Sequence, residues 1–208
     1  MTTADEDEGF YQECGLNANW TGVRLLIGGL TFLYGAFAFS YFYLRSLDSA
    51  GRWAPPASPQ LWMGTVIMLL TVCSAGLAYF GLQRIKLGHK STWAMVSWVA
   101  LALGLAAVTI QIIQLLKLPF PPGGSGFASV FSGFYPVFLF SQFCALIWLE
   151  MLLMRARHIP AISFVEQPPT VRETHDMQRF QSSLSAFSTM WTYLTVICVL
   201  FYLMFYAR

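Results

Sequence analysis

The chain has 208 residues, of which 56% are hydrophobic and 11% are charged. Soluble domains of ordinary composition carry about 25% charged residues, so this composition excludes a soluble globular domain and predicts one integral membrane domain. The net charge of +2 is small and dispersed, and it gives no indication of a nucleic-acid partner.

Five long apolar stretches account for most of the chain. An α-helix needs about 20 residues to cross ~30 Å of hydrocarbon, and that length is reached at residues 22–43, 61–82, 93–116, 127–154 and 184–206. The predicted fold class is therefore all-α, a polytopic membrane protein built as a bundle of five transmembrane helices. The membrane domain is expected over residues 22–208.

The N-terminal segment 1–21 opens on an acidic run, Asp5, Glu6, Asp7 and Glu8. A cleaved signal peptide instead begins with a basic region and a short apolar core, so we expect the first span to remain in the mature protein. The segment is predicted to be a solvated cytoplasmic tail, and docking to a neighbouring protein is the alternative.

The distribution of Lys and Arg predicts the orientation of the spans. Eight of these residues flank one side of the predicted membrane domain: Arg24, Arg84, Lys86, Lys90, Arg155, Arg157, Arg172 and Arg179. The other side has Arg45, Arg52, Lys117 and Arg208. By the positive-inside rule, the N-terminus lies in the cytoplasm and the C-terminus lies outside.

Proline and glycine mark the connections between spans. Residues 46–60 and 117–126 are rich in both and cannot continue a helix. Residues 155–183 carry three further prolines and mixed charge, and we expect them to form a cytoplasmic loop. Aromatic residues near span ends are expected to form interfacial belts: Trp53, Trp62, Trp93, Trp148 and Tyr206.

The spans contain no histidine, because His89, His158 and His175 all lie outside them. A haem inside a helical bundle needs axial ligands such as histidine. The four cysteines are dispersed and form no Cys-x-x-Cys pair, which is not a metal or redox pattern. We therefore expect this chain to contain no catalytic, cofactor-binding or metal-binding residue.

Glu150 is the one carboxylate predicted to lie within a span. Its place near the end of the fourth span, about one turn from Arg155, favours an interfacial carboxylate that reaches the headgroups or pairs with arginine. A role in handling protons is the alternative, because ionisable residues inside membranes often mark proton routes.

Neutral polar residues within the spans are candidates for contact with lipid or with a partner subunit. Each hydrogen bond between such residues contributes about 0.6 to 2 kcal/mol. The candidates are Gln111, Gln114, Gln142, Thr192 and Thr195.

Small residues in two spans are expected to permit close approach between helices. They include Gly28, Gly29 and Gly35 in the first span and Gly104 in the third.

From about Val23 to Arg208 the sequence resembles a bacterial five-helix form of cytochrome c oxidase subunit III. The first span ends in Phe39, Tyr41, Phe42 and Arg45, and it is followed by Trp53, Pro55 and Pro56, as in that family. Ser129, Val130 and Phe131, near the start of the fourth span, match the family's Ser-Val-Phe. Residues 191–195 align with the family's Trp-His-Phe-Val-Asp.

The chain departs from the family where the family carries ionisable residues. Gly29 or Leu30 stands in place of a glutamate, and Gln114 in place of another. Phe138 and Ser141 replace two histidines, and Thr192 and Thr195 replace a histidine and an aspartate. The resemblance is therefore to a divergent member whose embedded ionisable positions are nearly all neutral.

The resemblance implies an accessory, non-redox subunit of a terminal haem-copper oxidase in a bacterial inner membrane, with no catalysis by this chain alone. It implies packing beside subunit I, subunit II as a second neighbour, bound lipid, support of proton uptake and stability, and haem and copper in the partner subunits. One alternative is a subunit-III-like component of a nitric oxide reductase system. Another is a small scaffold or transporter unrelated to respiration, although the chain has no internal repeat of the kind that inverted-repeat transporters show.

Overall fold

The computed structural model describes residues 3–48, 51, 53, 59–87, 89–158 and 171–206. Every regular element in these residues is an α-helix: α1 (Thr3–Ser46), α2 (Leu61–Lys86), α3 (Lys90–Leu116), α4 (Gly126–His158) and α5 (Val171–Tyr206). Each helix contains a stretch long and apolar enough to cross a membrane. The predicted all-α fold class with five membrane-spanning helices is confirmed.

The helices extend beyond the apolar stretches from which they were predicted. α1 begins at Thr3, within the segment expected to be a tail. The expected loop 155–183 is helical at both ends, because α4 continues to His158 and α5 begins at Val171; residues 159–170 lie outside the described part. Hydropathy reports only the length that fits in hydrocarbon, whereas a helix continues into water until proline, glycine or a cap ends it.

α1 and α5 run parallel to each other, whereas the other neighbouring helices in the bundle are antiparallel. α2 packs between α3 and α5, α3 packs on α4, and α1 lies against α4 and α5. Hydrogen bonds join the end of α1 to the end of α5, where the Tyr41 hydroxyl donates to the Met204 carbonyl at 2.6 Å. At the opposite end, Asn19 Nδ2 donates to Ser183 Oγ at 2.8 Å.

Stacked aromatic rings hold α4 against α5 in the half of the bundle that contains Tyr41. Phe134 stacks on Phe201 with ring centroids 3.8 Å apart, and Phe205 contacts Phe131 at 5.0 Å. All four rings are buried. Aromatic pairs add about 0.5–1.5 kcal/mol beyond the burial of their area, so this contact fixes the relative position of the two helices.

Two of the tryptophans expected at interfaces lie inside the fold. Trp93 is fully buried and packs edge-on against Phe180 of α5 at 5.5 Å. Trp53 is partly buried against Tyr41 at 5.0 Å. Trp62 is exposed, as expected. Position near a span end identifies an interfacial tryptophan only when the residue also faces outward.

Glycines bring the helices together at two points. A Cβ placed on Gly104 of α3 would collide with Leu146 of α4, and one on Gly64 of α2 would collide with the ring of Tyr206 of α5. The close approach expected at Gly104 is therefore used within the chain. Gly28, Gly29 and Gly35 of α1, in contrast, have no such neighbour within 4 Å.

We predict that Gly104→Leu destabilises the bundle, because its side chain would enter the space of the buried Leu146. Overpacking of this kind costs about 1–3 kcal/mol. The matched control is Gly76→Leu on α2, where nothing lies within 4 Å of the position. Thermal unfolding of the purified variants in detergent measures the difference, and equal transition temperatures would contradict the packing described for α3 and α4.

Candidate functional site

Three polar side chains form a directed hydrogen-bond chain across α2, α3 and α4, which we name the amide chain (Gln111, Gln142 and Thr71). Gln111 Nε2 donates to Gln142 Oε1 at 2.5 Å, and Gln142 Nε2 donates to Thr71 Oγ1 at 3.3 Å. Thr71 Oγ1 donates in turn to the Ile67 carbonyl at 2.8 Å. All three side chains are buried.

The threonine fixes the direction of the whole amide chain. Its single hydroxyl hydrogen goes to the Ile67 carbonyl, so its oxygen faces Gln142 as an acceptor. Gln142 must then present its NH₂ group to Thr71 and its oxygen to Gln111. Gln111 therefore donates from its NH₂ group to Gln142, and the Oε1 of Gln111 has no partner among the described residues.

A second polar group lies beside the first, which we name the tyrosine cluster (Gln114, Tyr206 and Tyr135). Gln114 Nε2 donates to the Tyr206 hydroxyl at 2.6 Å, and the hydroxyls of Tyr206 and Tyr135 are 2.9 Å apart. These contacts link α3, α5 and α4. The cluster lies where α2 and α5 approach each other closely at Gly64, because the glycine leaves room for the Tyr206 ring.

A small cavity of about 20 Å³ lies between these two groups. Its polar lining includes Gln111, Tyr135, Tyr202 and Tyr206, and the remaining wall is mostly aromatic. Tyr202 is itself paired with Thr65 of α2, whose oxygen is 2.8 Å from the Tyr202 hydroxyl.

Gln111, Gln114 and Gln142 are 0%, 2% and 1% exposed. They bond to other helices of the same chain, and their contact with lipid or a partner subunit stays a prediction. A sequence shows that an amide lies in a span, but hydrophobicity on all sides of the helix hides which face is inward.

The two threonines among the predicted contact residues lie elsewhere, on α5. Thr192 donates its hydroxyl hydrogen to the Ser188 carbonyl at 2.8 Å, and Thr195 donates to the Trp191 carbonyl at 2.9 Å, so both bond within their own helix. Thr192 is exposed and Thr195 is partly buried. The structure therefore brings the three glutamines together and leaves the threonines apart from them.

Glu150 is exposed on α4. It lines a surface groove together with Met151, Met154 and Arg155. The carboxylate and the guanidinium therefore share one surface near the end of the helix, away from the buried amides.

An apolar cleft of about 350 Å³ opens between α1 and α4, with Met190 of α5 contributing to its wall. Its lining includes Leu30, Leu33, Phe140, Cys144 and Trp148. Among the described residues, no group of three or more His, Cys, Asp or Glu side chains could hold a metal ion.

Sequence reasoning missed the tyrosines that complete the polar groups. Tyr135, Tyr202 and Tyr206 were outside the candidate set, although Tyr202 and Tyr206 are spaced i,i+4 and so share one face of α5. A pair of tyrosines on one face near the end of a span is the signal that could have identified them.

Comparison with known proteins assigns no family to the chain. No family model matches it, and no curated protein matches it. The resemblance to subunit III remains a prediction from the sequence.

We predict that the amide chain acts as one unit. Gln111→Leu or Gln142→Leu alone leaves a buried partner without its hydrogen bond, which costs about 1–3 kcal/mol. The double substitution removes both amides and should cost less than the sum of the single changes. Thermal unfolding of the four proteins measures the coupling.

Thr192→Val is the matched control for these changes, because Thr192 is exposed and, among the described residues, bonds to its own helix. It should leave the unfolding transition nearly unchanged. Additive effects of Gln111→Leu and Gln142→Leu would contradict the coupling of the two amides.

Proposed function

We propose that this chain is an accessory, non-redox subunit of a terminal haem-copper oxidase, of the subunit III type, in a bacterial inner membrane. In this proposal it packs beside the catalytic subunit I, with subunit II as a second neighbour, and the haem and copper belong to those partners. The sequence resemblance supports the proposal, and one feature of the fold carries it: the surface of α1.

α1 is the least buried of the five spans. In its most apolar 18-residue stretch 11% of the residues are buried, whereas the corresponding values for the other four helices are 39% to 56%. In the described part of the chain, the main helix contacts of α1 are with α4 and α5. Most of its circumference is therefore free to contact lipid or another protein.

Apolar exposure alone does not indicate a partner, because lipid tails are as apolar as leucine. The arrangement of large and small residues along α1 does indicate a partner. Leu25, Phe32 and Phe39 recur every seven residues on the outer face and are 73%, 86% and 69% exposed. Gly22, Gly29 and Ala36 alternate with them at the same spacing and are also exposed.

This alternation gives the outer face of α1 a period of 3.5 residues, which is the repeat of a left-handed helix pair. Gly29 and Ala36 each leave a notch between two large apolar side chains, and no described atom of a neighbouring element lies within 4 Å of a Cβ at Gly22 or Gly29. A transmembrane helix of another protein fits such a face, because small residues let two backbones approach closely.

The apolar cleft between α1 and α4 supports the lipid-holding part of the proposal. Its volume of about 350 Å³ and its wall of leucine, phenylalanine and tryptophan suit an acyl chain. The cleft is formed by the same helix whose outer face is open, so a bound lipid would sit next to the partner helix.

The alternatives make different demands on the structure. A transporter needs a polar cavity near the middle of the membrane, whereas the polar cavity between α2, α3, α4 and α5 measures about 20 Å³. A nitric oxide reductase system would use the same helix plan, and only the activity of the assembled complex distinguishes it.

Purification of the intact complex through a tag on this chain tests the proposal. We expect a haem-containing, copper-containing catalytic subunit to co-purify and the complex to reduce oxygen. Reduction of nitric oxide without oxygen reduction would favour the reductase system, and purification without any haem protein would contradict both assignments.

We predict that Gly29→Leu lowers the amount of catalytic subunit recovered per tagged chain, because its side chain fills the notch between Leu25 and Phe32. Gly76→Leu is the control, since it adds the same side chain to an open position on α2. Quantitative mass spectrometry of the purified complexes measures the ratio. Equal recovery from both variants and the unmodified chain would show that this face of α1 is not the attachment surface.

Glu150→Gln is expected to leave oxygen consumption and its dependence on pH unchanged. The carboxylate is exposed beside Arg155, where it can reach the headgroups without feeding protons to a neighbour. Oxygen consumption of the two complexes across a range of pH is the measurement. Turnover that slows increasingly at high pH in the variant, with normal assembly, would instead assign proton delivery to Glu150.

A further inference from the structure

We propose that the cavity between the amide chain and the tyrosine cluster binds one water molecule, which joins α3, α4 and α5 through hydrogen bonds. The proposal concerns this chain alone and does not depend on its partner or activity. It follows from the direction of the hydrogen bonds around the cavity and from the size of the cavity.

The first requirement for a buried water is an acceptor or donor that the protein leaves unpaired. Gln111 lines the cavity and is 0% exposed. Because Thr71 fixes the orientation of both amides, the unpaired group of Gln111 is the acceptor Oε1, which has no partner among the described residues. A buried acceptor without a hydrogen bond is unfavourable, and a water O–H supplies the missing donor.

The second requirement is a donor on the opposite wall. The hydroxyls of Tyr206 and Tyr135 are 2.9 Å apart, and either can donate to the other. Gln114 Nε2 donates to Tyr206, so the two tyrosines together have two hydroxyl hydrogens and use one of them between themselves. The other hydrogen is available to the cavity, which both tyrosines line, so the tyrosine pair donates to the water and the water donates to Gln111.

A third partner follows from the same counting at Tyr202. Thr65 donates its hydroxyl hydrogen to the Leu61 carbonyl at 2.9 Å, so in its contact with Tyr202 it is the acceptor. Tyr202 then donates its hydroxyl hydrogen to Thr65, and the Tyr202 oxygen accepts the second hydrogen of the water. The water makes three hydrogen bonds, which is the usual number for a buried water.

The size of the cavity selects the occupant. A buried water needs at least about 10–15 Å³ of space for its centre, and this cavity offers about 20 Å³. A monovalent cation would need several oxygens without inward-pointing hydrogens, and the pair of Tyr135 and Tyr206 presents a hydroxyl hydrogen. One neutral water satisfies all three partners.

Radiolytic labelling of the purified full chain in lipid nanodiscs tests the proposal. Hydroxyl radicals formed from a bound water oxidise the side chain beside it, even when that side chain is buried. We expect Tyr135, which is 6% exposed, to be labelled, with slow incorporation of ¹⁸O from labelled solvent. Tyr34 is the internal control, because it is 1% exposed, bonds Ser141 at 2.8 Å and does not line the cavity.

Gln111→Leu should reduce the labelling of Tyr135 to the level of Tyr34, since it removes the acceptor. Thr109→Val is the control variant, because Thr109 is exposed and bonds its own helix, and it should leave the labelling of Tyr135 unchanged. If Gln111→Leu does not fold, Tyr135→Phe is the second variant, and the buried Cys198 of the cavity wall is the reporter. We expect radiolytic labelling of Cys198 to be lower in Tyr135→Phe than in the unmodified protein. Labelling of Tyr135 in the unmodified protein at the Tyr34 level, or labelling unaffected by these changes, would overturn the proposal.

Discussion

The hydrocarbon of a membrane offers no hydrogen-bond partners, so a polar group placed in it needs a partner from the protein or from a water that the protein holds. The backbone meets this constraint by forming five helices. The side chains meet it by forming directed groups: Thr71 is satisfied by the carbonyl of its own helix, and this bond sets the orientation of Gln142 and then of Gln111. A single threonine thus determines how three helices present their polar atoms.

The same constraint separates the bundle into two kinds of surface. α2, α3, α4 and α5 share the buried amides, the tyrosine cluster and the stacked aromatic rings, so their relative positions are fixed by directional contacts as well as by packing. α1 joins them through fewer contacts, among them the bond from Tyr41 to Met204. Its outer face carries glycines whose surrounding space is not filled by any described residue. The open face is what an accessory subunit needs in order to attach to another membrane protein.

The fold class could be predicted from the sequence because twenty-residue apolar stretches have one common solution in a bilayer. Helix ends could not, since α1 and α5 continue through polar residues that hydropathy reads as tails and loops. The glutamines were recognisable as polar residues in spans, but their inward orientation was not, because the helices are apolar on nearly every side. The role of Tyr135 and Tyr206 depends on contacts between residues 71 positions apart, which no local pattern reveals.

The claim that α1 is an attachment surface is tested most directly by placing a photo-reactive amino acid at Phe32, the most exposed of the three large residues on its outer face. Illumination of native membranes followed by mass spectrometry identifies what lies against this position. The proposed function predicts a cross-link to a transmembrane helix of a haem-bearing subunit. Cross-links to lipid alone, or to a second copy of this chain, would contradict it.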